Sequence, residues 1–186
     1  MTTSNFQELG AAGLFLISRD KFEDVRGVFS KLFSSKRMAQ AGWDKPVAQV
    51  NFSHTAKSGT VRGMHYQNAP YQEMKLVSCT RGEVYDVAVD LRAGSSTFLK
   101  WFAQTLSPKN GHSLLIPEGM AHGFQALSDD AELIYCHSAP WVKESEGGLH
   151  PLDPMLSVTW PLTVSLMSTK DSAFAHINQN FRGIRL

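Results

Sequence analysis

From Gly13 to Pro161 the chain is a succession of short runs rich in β-branched and aromatic residues: GLFLIS, RGVFSKLF, VAQVNFSH, TVRGMHYQ, MKLVSC, EVYDVAVDL, FLKWFAQTLS, HSLLIP, HGFQALS, AELIYCHS and LSVTWP. Turn-forming residues punctuate them, as in TRG, RAGSS, SPKNG, PEG and SDD. Runs of this length and make-up are strands, and turns at these intervals fold strands back on one another. EVYDVAVDL alternates, so Val84, Asp86, Ala88 and Asp90 share one face and Tyr85, Val87, Val89 and Leu91 the other. Only SKRMAQAG and a piece after Ser168, where STKD offers an N-cap serine followed by an acid, read as helical. With no internal repeat and no linker-like stretch, residues 1–186 are expected to form one mainly β domain, a sandwich or barrel with few short helices.

The length of 186 residues allows one sizeable core. A formal net charge of +1 carries no electrostatic footprint for nucleic acid or a membrane surface, so neither is expected as a partner. The most apolar N-terminal run, GAAGLFLI, is too short to span a bilayer, and no basic stretch precedes it as in a secretory signal. A cytoplasmic location is the expectation. Cys79 and Cys136 each lie in apolar, strand-like runs, which fits a reduced compartment without a disulfide framework; a single bond between them stays open.

Two motifs carry chemistry. In GHSLLIPEGMAH, Gly111, Pro117, Gly119 and His122 have the spacing of the second motif of the cupins, which are double-sheet jelly rolls. The Pro-Glu-Gly turn reverses the chain so that the next strand carries His122 into the barrel mouth. Such a turn alone is common between strands, and a histidine after it is often a core residue; the full spacing singles it out. The first cupin motif begins with Gly59 and His65, and then the pattern fails. Gln67 stands at the second histidine position. Lys75, separated from Gly82 by six residues, stands where an acid is expected. An ammonium group repels a divalent cation, so this reads as a cupin pocket emptied of metal and refitted with side-chain chemistry. Arg62 and His65 would point to opposite faces of a regular strand; a bulge at Gly63 would let both serve one pocket.

RGMHYQ, KLVSCTRGEVYDVAVDLR, FLKWFAQTLSPKNGHSLLIPEGMAHGFQALS and LSVTWP closely resemble the dTDP-4-dehydrorhamnose 3,5-epimerases, a cupin family. The resemblance runs from Leu14 to Asp171, 158 of 186 residues, with DVAVDLR and IPEGMAHGF as its most specific signatures. It implies a homodimeric jelly-roll barrel that uses no metal and no organic cofactor. It also implies epimerisation of a dTDP-linked 4-keto-6-deoxyhexose at C3 and C5. The C4 ketone acidifies the protons on both adjacent carbons, so a base can remove one if the enolate is stabilised. In the resemblance His65 is that base, Asp171 the carboxylate that orients it, Lys75 the cation near the C4 oxygen, and Tyr135 the acid on the opposite face. Arg26 and Arg62 resemble diphosphate contacts. Gln49, Asn51, His122, Glu146 and Lys170 match substrate-contacting positions, and Phe22 and Trp141 match aromatic walls for the base.

Several positions depart from the family. Trp141 replaces a tyrosine, Cys136 a basic residue, and Lys31 stands where an acid is frequent. The usual Gln-x-Lys reads Glu73-Met74-Lys75, and Asn-Asp-Pro reads Leu152-Asp153-Pro154. None removes a catalytic position, but all can reshape the substrate shell. The alternatives are a 3- or 5-mono-epimerase acting on another nucleotide-linked deoxysugar, and a non-catalytic sugar-nucleotide-binding cupin. The second would have no need of a base and an acid together.

Overall fold

The computed structural model describes residues 6–186; residues 1–5, where the sequence carries no basic run, lie outside it. In chain order the strands are β1 (Phe6–Glu8), β2 (Phe15–Ser18), β3 (Lys21–Asp24), β4 (Gly27–Ser30), β5 (Gln49–Thr55), β6 (Val61–Gln67) and β7 (Lys75–Arg81). There follow β8 (Val84–Asp90), β9 (Trp101–Leu106), β10 (His112–Ile116), β11 (Met120–Ala126), β12 (Ala131–His137) and β13 (Glu146–Gly148). One sheet has the order β1-β2-β10-β7-β12-β5, the other β13-β6-β11-β8-β9, and β3 and β4 form a separate hairpin. All strand pairs are antiparallel. This is a cupin-like jelly roll.

The alternation in β8 decides which side chains meet where. Val84 and Ala88 pack between the sheets with Leu16, Val77, Leu114, Phe124 and Leu133, which come from both layers. Val87, Val89 and Leu91 face the other way and are equally buried. They are covered by Leu149, Leu156, Ile177 and Ile184 from the C-terminal chain. That chain is mostly irregular, so LSVTWP is not a strand, contrary to expectation. Its Val158 and Trp160 pack on the outer face, and the Trp160 indole N–H donates to the Pro151 carbonyl at 3.0 Å. Burial, rather than ladder bonding, fixes that segment.

The outer face of the larger sheet is covered differently. Ser35–Met38 forms a helical turn (α1) and Ala39–Ala41 a 3₁₀ turn, as SKRMAQAG suggested. Met38, Ala41 and Trp43 then cap Ile17, Leu76 and Leu115. Cys79 and Cys136 are both buried free thiols. Among the described residues no helix is long and apolar enough to cross a membrane.

Candidate active site

Strand β6 bulges at the predicted glycine. His65 pairs with His122 and Arg62 with Phe124, so three steps on β6 match two on β11. Gly63 has φ +124°, and a Cβ there would meet the Gly123 Cα at 2.5 Å and the His122 carbonyl oxygen at 2.8 Å. Only glycine fits that crossing. Its consequence is the one anticipated: Arg62 and His65 both line a cavity of about 480 Å³.

Around this cavity the structure also gathers Asn51, Lys75, His122, Tyr135, Trp141 and Glu146. Asp171 stands behind His65, its Oδ1 2.7 Å from the imidazole Nε2. The Gly63 N–H donates to its other oxygen at 3.2 Å. Ser168 caps the short helix α2 (Thr169–Ser172), and its hydroxyl accepts from the Asp171 N–H at 3.0 Å, as STKD implied. Burial works to raise the Asp171 carboxyl; the hydrogen bond and charge of His65 outweigh it and hold the group below its ordinary range. The acid is thereby kept as a carboxylate facing the imidazole.

Tyr135 enters from the other sheet. Its hydroxyl lies 2.9 Å from the Ser53 hydroxyl, and its ring stands 6.0 Å from that of His122. Burial pushes the phenol up, with Ser53 pulling it partly back, so the proton stays on the oxygen at neutral pH. His122 is held in turn by Asp86 at 2.8 Å; both are buried, and Asp86 Oδ2 has no partner.

Gln67, at the broken cupin ligand position, has its amide fully occupied. Its Nε2 donates to the Tyr71 and Pro140 carbonyls at 2.9 and 3.1 Å, and its Oε1 accepts from the Val142 N–H at 2.7 Å. It ties down the loop that presents Trp141. Among the described residues no three His, Cys, Asp or Glu side chains converge as metal ligands do.

The remaining predicted residues divide. Gln49 is linked to Asn51 at 2.8 Å, and Lys170 to Glu146 at 2.6 Å. Lys170 and Asp171 border a second cavity of about 600 Å³ that shares Arg62 and His65 with the first. Phe22 and Arg26 are not brought in. They lie on the β3–β4 hairpin, where Phe22 is 62% exposed and Asp24 holds the Arg26 guanidinium at 2.6 Å. Sequence reasoning missed Ser53, Asp86 and His137, and treated Glu73 only as a departure. The signal for His137 was alternation, since it falls two residues after Tyr135 on the same strand.

Fold and pocket together define a cupin-type isomerase, with a histidine on one sheet, backed by the Asp171 carboxylate of α2, and a protonated tyrosine on the other sheet. The family model for dTDP-4-dehydrorhamnose 3,5-epimerase matches residues 8–179, and the chain belongs to that family. It is 44% identical over 169 residues to the dTDP-4-dehydrorhamnose 3,5-epimerase of Sinorhizobium fredii, covering 90% of this chain and 87% of that protein. It is also 40% identical over 164 residues to a dTDP-4-dehydrorhamnose 3-epimerase of Streptomyces niveus, covering 88% and 79%. The crystal structure of the Legionella pneumophila 3,5-epimerase in complex with dTDP-4-keto-L-rhamnose superposes with a TM-score of 0.88 at 40% identity, covering 92% of both chains.

Proposed function

We propose that the chain epimerises a dTDP-linked 4-keto-6-deoxyhexose at C3 and C5. The observation that carries this reading is the placement of His65, backed by Asp171, and of Tyr135 on opposite sheets around one cavity. With Nε2 engaged by Asp171, Nδ1 of His65 is the nitrogen left to take a proton from a carbon beside the ketone. Asp171 stabilises the imidazolium that results. The electron pair moves into an enolate whose oxygen Lys75 receives, a charge partner in a partly desolvated site. Tyr135 then delivers a proton to the other face, and the carbon is inverted. Arg62 suits the diphosphate, and Trp141, 53% exposed at the rim, suits stacking on the base.

Phe22 and Arg26 enter this reading through a second copy of the chain. The hairpin leaves Phe22, Val28 and Phe29 exposed at 62, 61 and 65%, and edge strand β5 leaves Val50 and Phe52 at 61 and 62%. Apolar surface of this kind beside an unpaired edge fits a homodimer in which the hairpin reaches the partner's cavity mouth. Light scattering at micromolar concentration tests it, and a monomer would remove both residues from the site.

The reaction itself is tested in heavy water with dTDP-4-keto-6-deoxyglucose. Deuterium is expected at both C3 and C5 of the product. The 40% identity to a 3-epimerase gives a second reading, inversion at C3 alone, for which only C3 would carry deuterium. No deuterium at either carbon, with substrate bound, would leave only a binding protein.

A further inference from the structure

Beside Lys75 lies a buried chain of polar groups that the proposed reaction does not use. The Lys75 ammonium is 3.0 Å from Glu73 Oε1, and the other Glu73 oxygen accepts from His137 Nδ1 at 2.7 Å. The three side chains are only 12, 8 and 9% exposed, yet all line the cavity. His137 Nε2 is 3.3 Å from Asn51 Nδ2. Asn51 Oδ1 accepts from Gln49 Nε2 at 2.8 Å, and Gln49 Oε1 accepts from the Trp141 backbone N–H at 3.0 Å.

The polarity of this chain is fixed at both ends. A backbone N–H can only donate and a carboxylate can only accept. Trp141 therefore sets the Gln49 amide, Gln49 sets Asn51, and Asn51 donates to His137 Nε2. His137 is left with its proton on Nδ1, pointing at Glu73. Only a carboxylate of this size accepts from His137 and from Lys75 at once; a glutamine there would turn its NH₂ toward one of two donors. Burial acts to raise the Glu73 carboxyl, and the His137 hydrogen bond with the Lys75 charge more than offsets it, leaving the group below its ordinary range.

We infer that Glu73 and His137 are positioning residues for the reaction: Glu73 aims the Lys75 ammonium into the cavity, and His137 locks Glu73 to the Asn51 and Gln49 amides. The inference rests on the epimerase reading for what Lys75 and the amides face. The other charged or titratable groups around His137 are Tyr135, whose ring is 6.1 Å away on the same strand, and His122 beyond it on β11. Neither bonds to His137, so Glu73 and Asn51 alone set its tautomer.

The test has two arms. In ligand-free protein labelled with ¹⁵N-histidine, His137 is identified by the signal lost in His137→Phe, and its proton is expected on Nδ1. Glu73→Gln should leave that tautomer in place, because Asn51 still donates to Nε2, but should turn the new NH₂ toward Lys75 and, in a ¹⁵N-lysine sample, shift the Lys75 ammonium signal. In the second arm, Glu73→Gln should lower kcat about tenfold with KM within about twofold, the loss of one hydrogen bond to a charged group. His137→Phe should lower kcat and also raise KM, because Asn51 and Gln49 lose their anchor. The double variant should have a kcat no lower than Glu73→Gln alone. A His137 proton on Nε2 in the wild type, or a Glu73→Gln protein with unchanged Lys75 signal and kcat, would overturn the inference. Failure of the epimerase reading shows separately, as a wild type that neither inverts nor exchanges its substrate, and the substrate-free spectra then still decide the Glu73 links.

Discussion

The substitution Asp171→Asn distinguishes a carboxylate that merely holds His65 from one that selects its tautomer. Asp171 accepts twice in the wild type, from His65 Nε2–H at 2.7 Å and from the Gly63 N–H at 3.2 Å. An asparagine has one acceptor. The Gly63 N–H, a backbone donor in a buried bulge, will claim it, because leaving that donor unpaired costs about 1–3 kcal/mol. The side-chain NH₂ then faces His65 Nε2, which must accept, and the imidazole proton moves to Nδ1. That is the nitrogen needed as the base. The variant thus keeps its hydrogen bonds and its fold but presents a donor to the substrate carbon. The loss should equal the whole general-base contribution, on the order of 10²–10⁴ in kcat, with dTDP binding changed little. Asp171→Ala, which leaves the imidazole free to choose its tautomer, should be no slower than Asn. Turnover and deuterium uptake in heavy water read both variants. An Asn variant within about fivefold of wild type, or one much faster than Ala, would refute the tautomer argument.

Three further outcomes follow from other parts of the molecule. Asp90 is fully buried and accepts from Arg92, Ser95 and Thr97 at 2.6–3.0 Å, so Asp90→Asn should cost about 3 kcal/mol by leaving Arg92 short of its counter-charge; denaturant melts at pH 7 check it. Asp171 and Glu73 both have carboxyls held below their ordinary values of 3.8 and 4.5; depressed groups contribute stability above those values and lose it as pH falls through the folded-state values, so melting temperature should drop with acid below about pH 4.5, and less steeply in Glu73→Gln. Activity should survive exhaustive chelation, since the Gln67 amide is consumed by backbone partners and an ammonium stands at the acid position; loss on chelation with recovery on adding a divalent ion would contradict this.

Most of the barrel was legible because its strands must alternate, and alternation survives in a single sequence. The EVYDVAVDL faces were assigned correctly for this reason. Its outer face was nonetheless not exposed, because a sheet face records only that it is apolar, not what covers it. The cover is the irregular chain from Leu149 to Ile184, whose apolar residues follow no period. LSVTWP imitates a strand in composition, but Trp160 and Val158 are held there by burial against β8 and its neighbours. Composition alone cannot tell a residue buried in a ladder from one buried beneath a loop.

The site was legible to the extent that one residue fixes one position. Gly63 could be read as a bulge because only glycine survives a Cβ contact of 2.5 Å, and the bulge alone brings Arg62 and His65 to one cavity. The helix start before Asp171 could be read from its N-cap serine, whereas its place behind His65 came only with the family resemblance. Partnerships between neighbouring strands were a different matter. Ser53 meets Tyr135, and Glu73 meets His137, through register between β5, β12 and β7, which no local pattern encodes. Phe22 and Arg26 show the remaining boundary. Their side chains are exposed on a hairpin that one chain does not bring to its own cavity. In the proposed dimer, a site assembled from two copies would leave its most exposed members looking idle in each copy, and here those members are an aromatic and an arginine, the residue types a nucleoside diphosphate calls for.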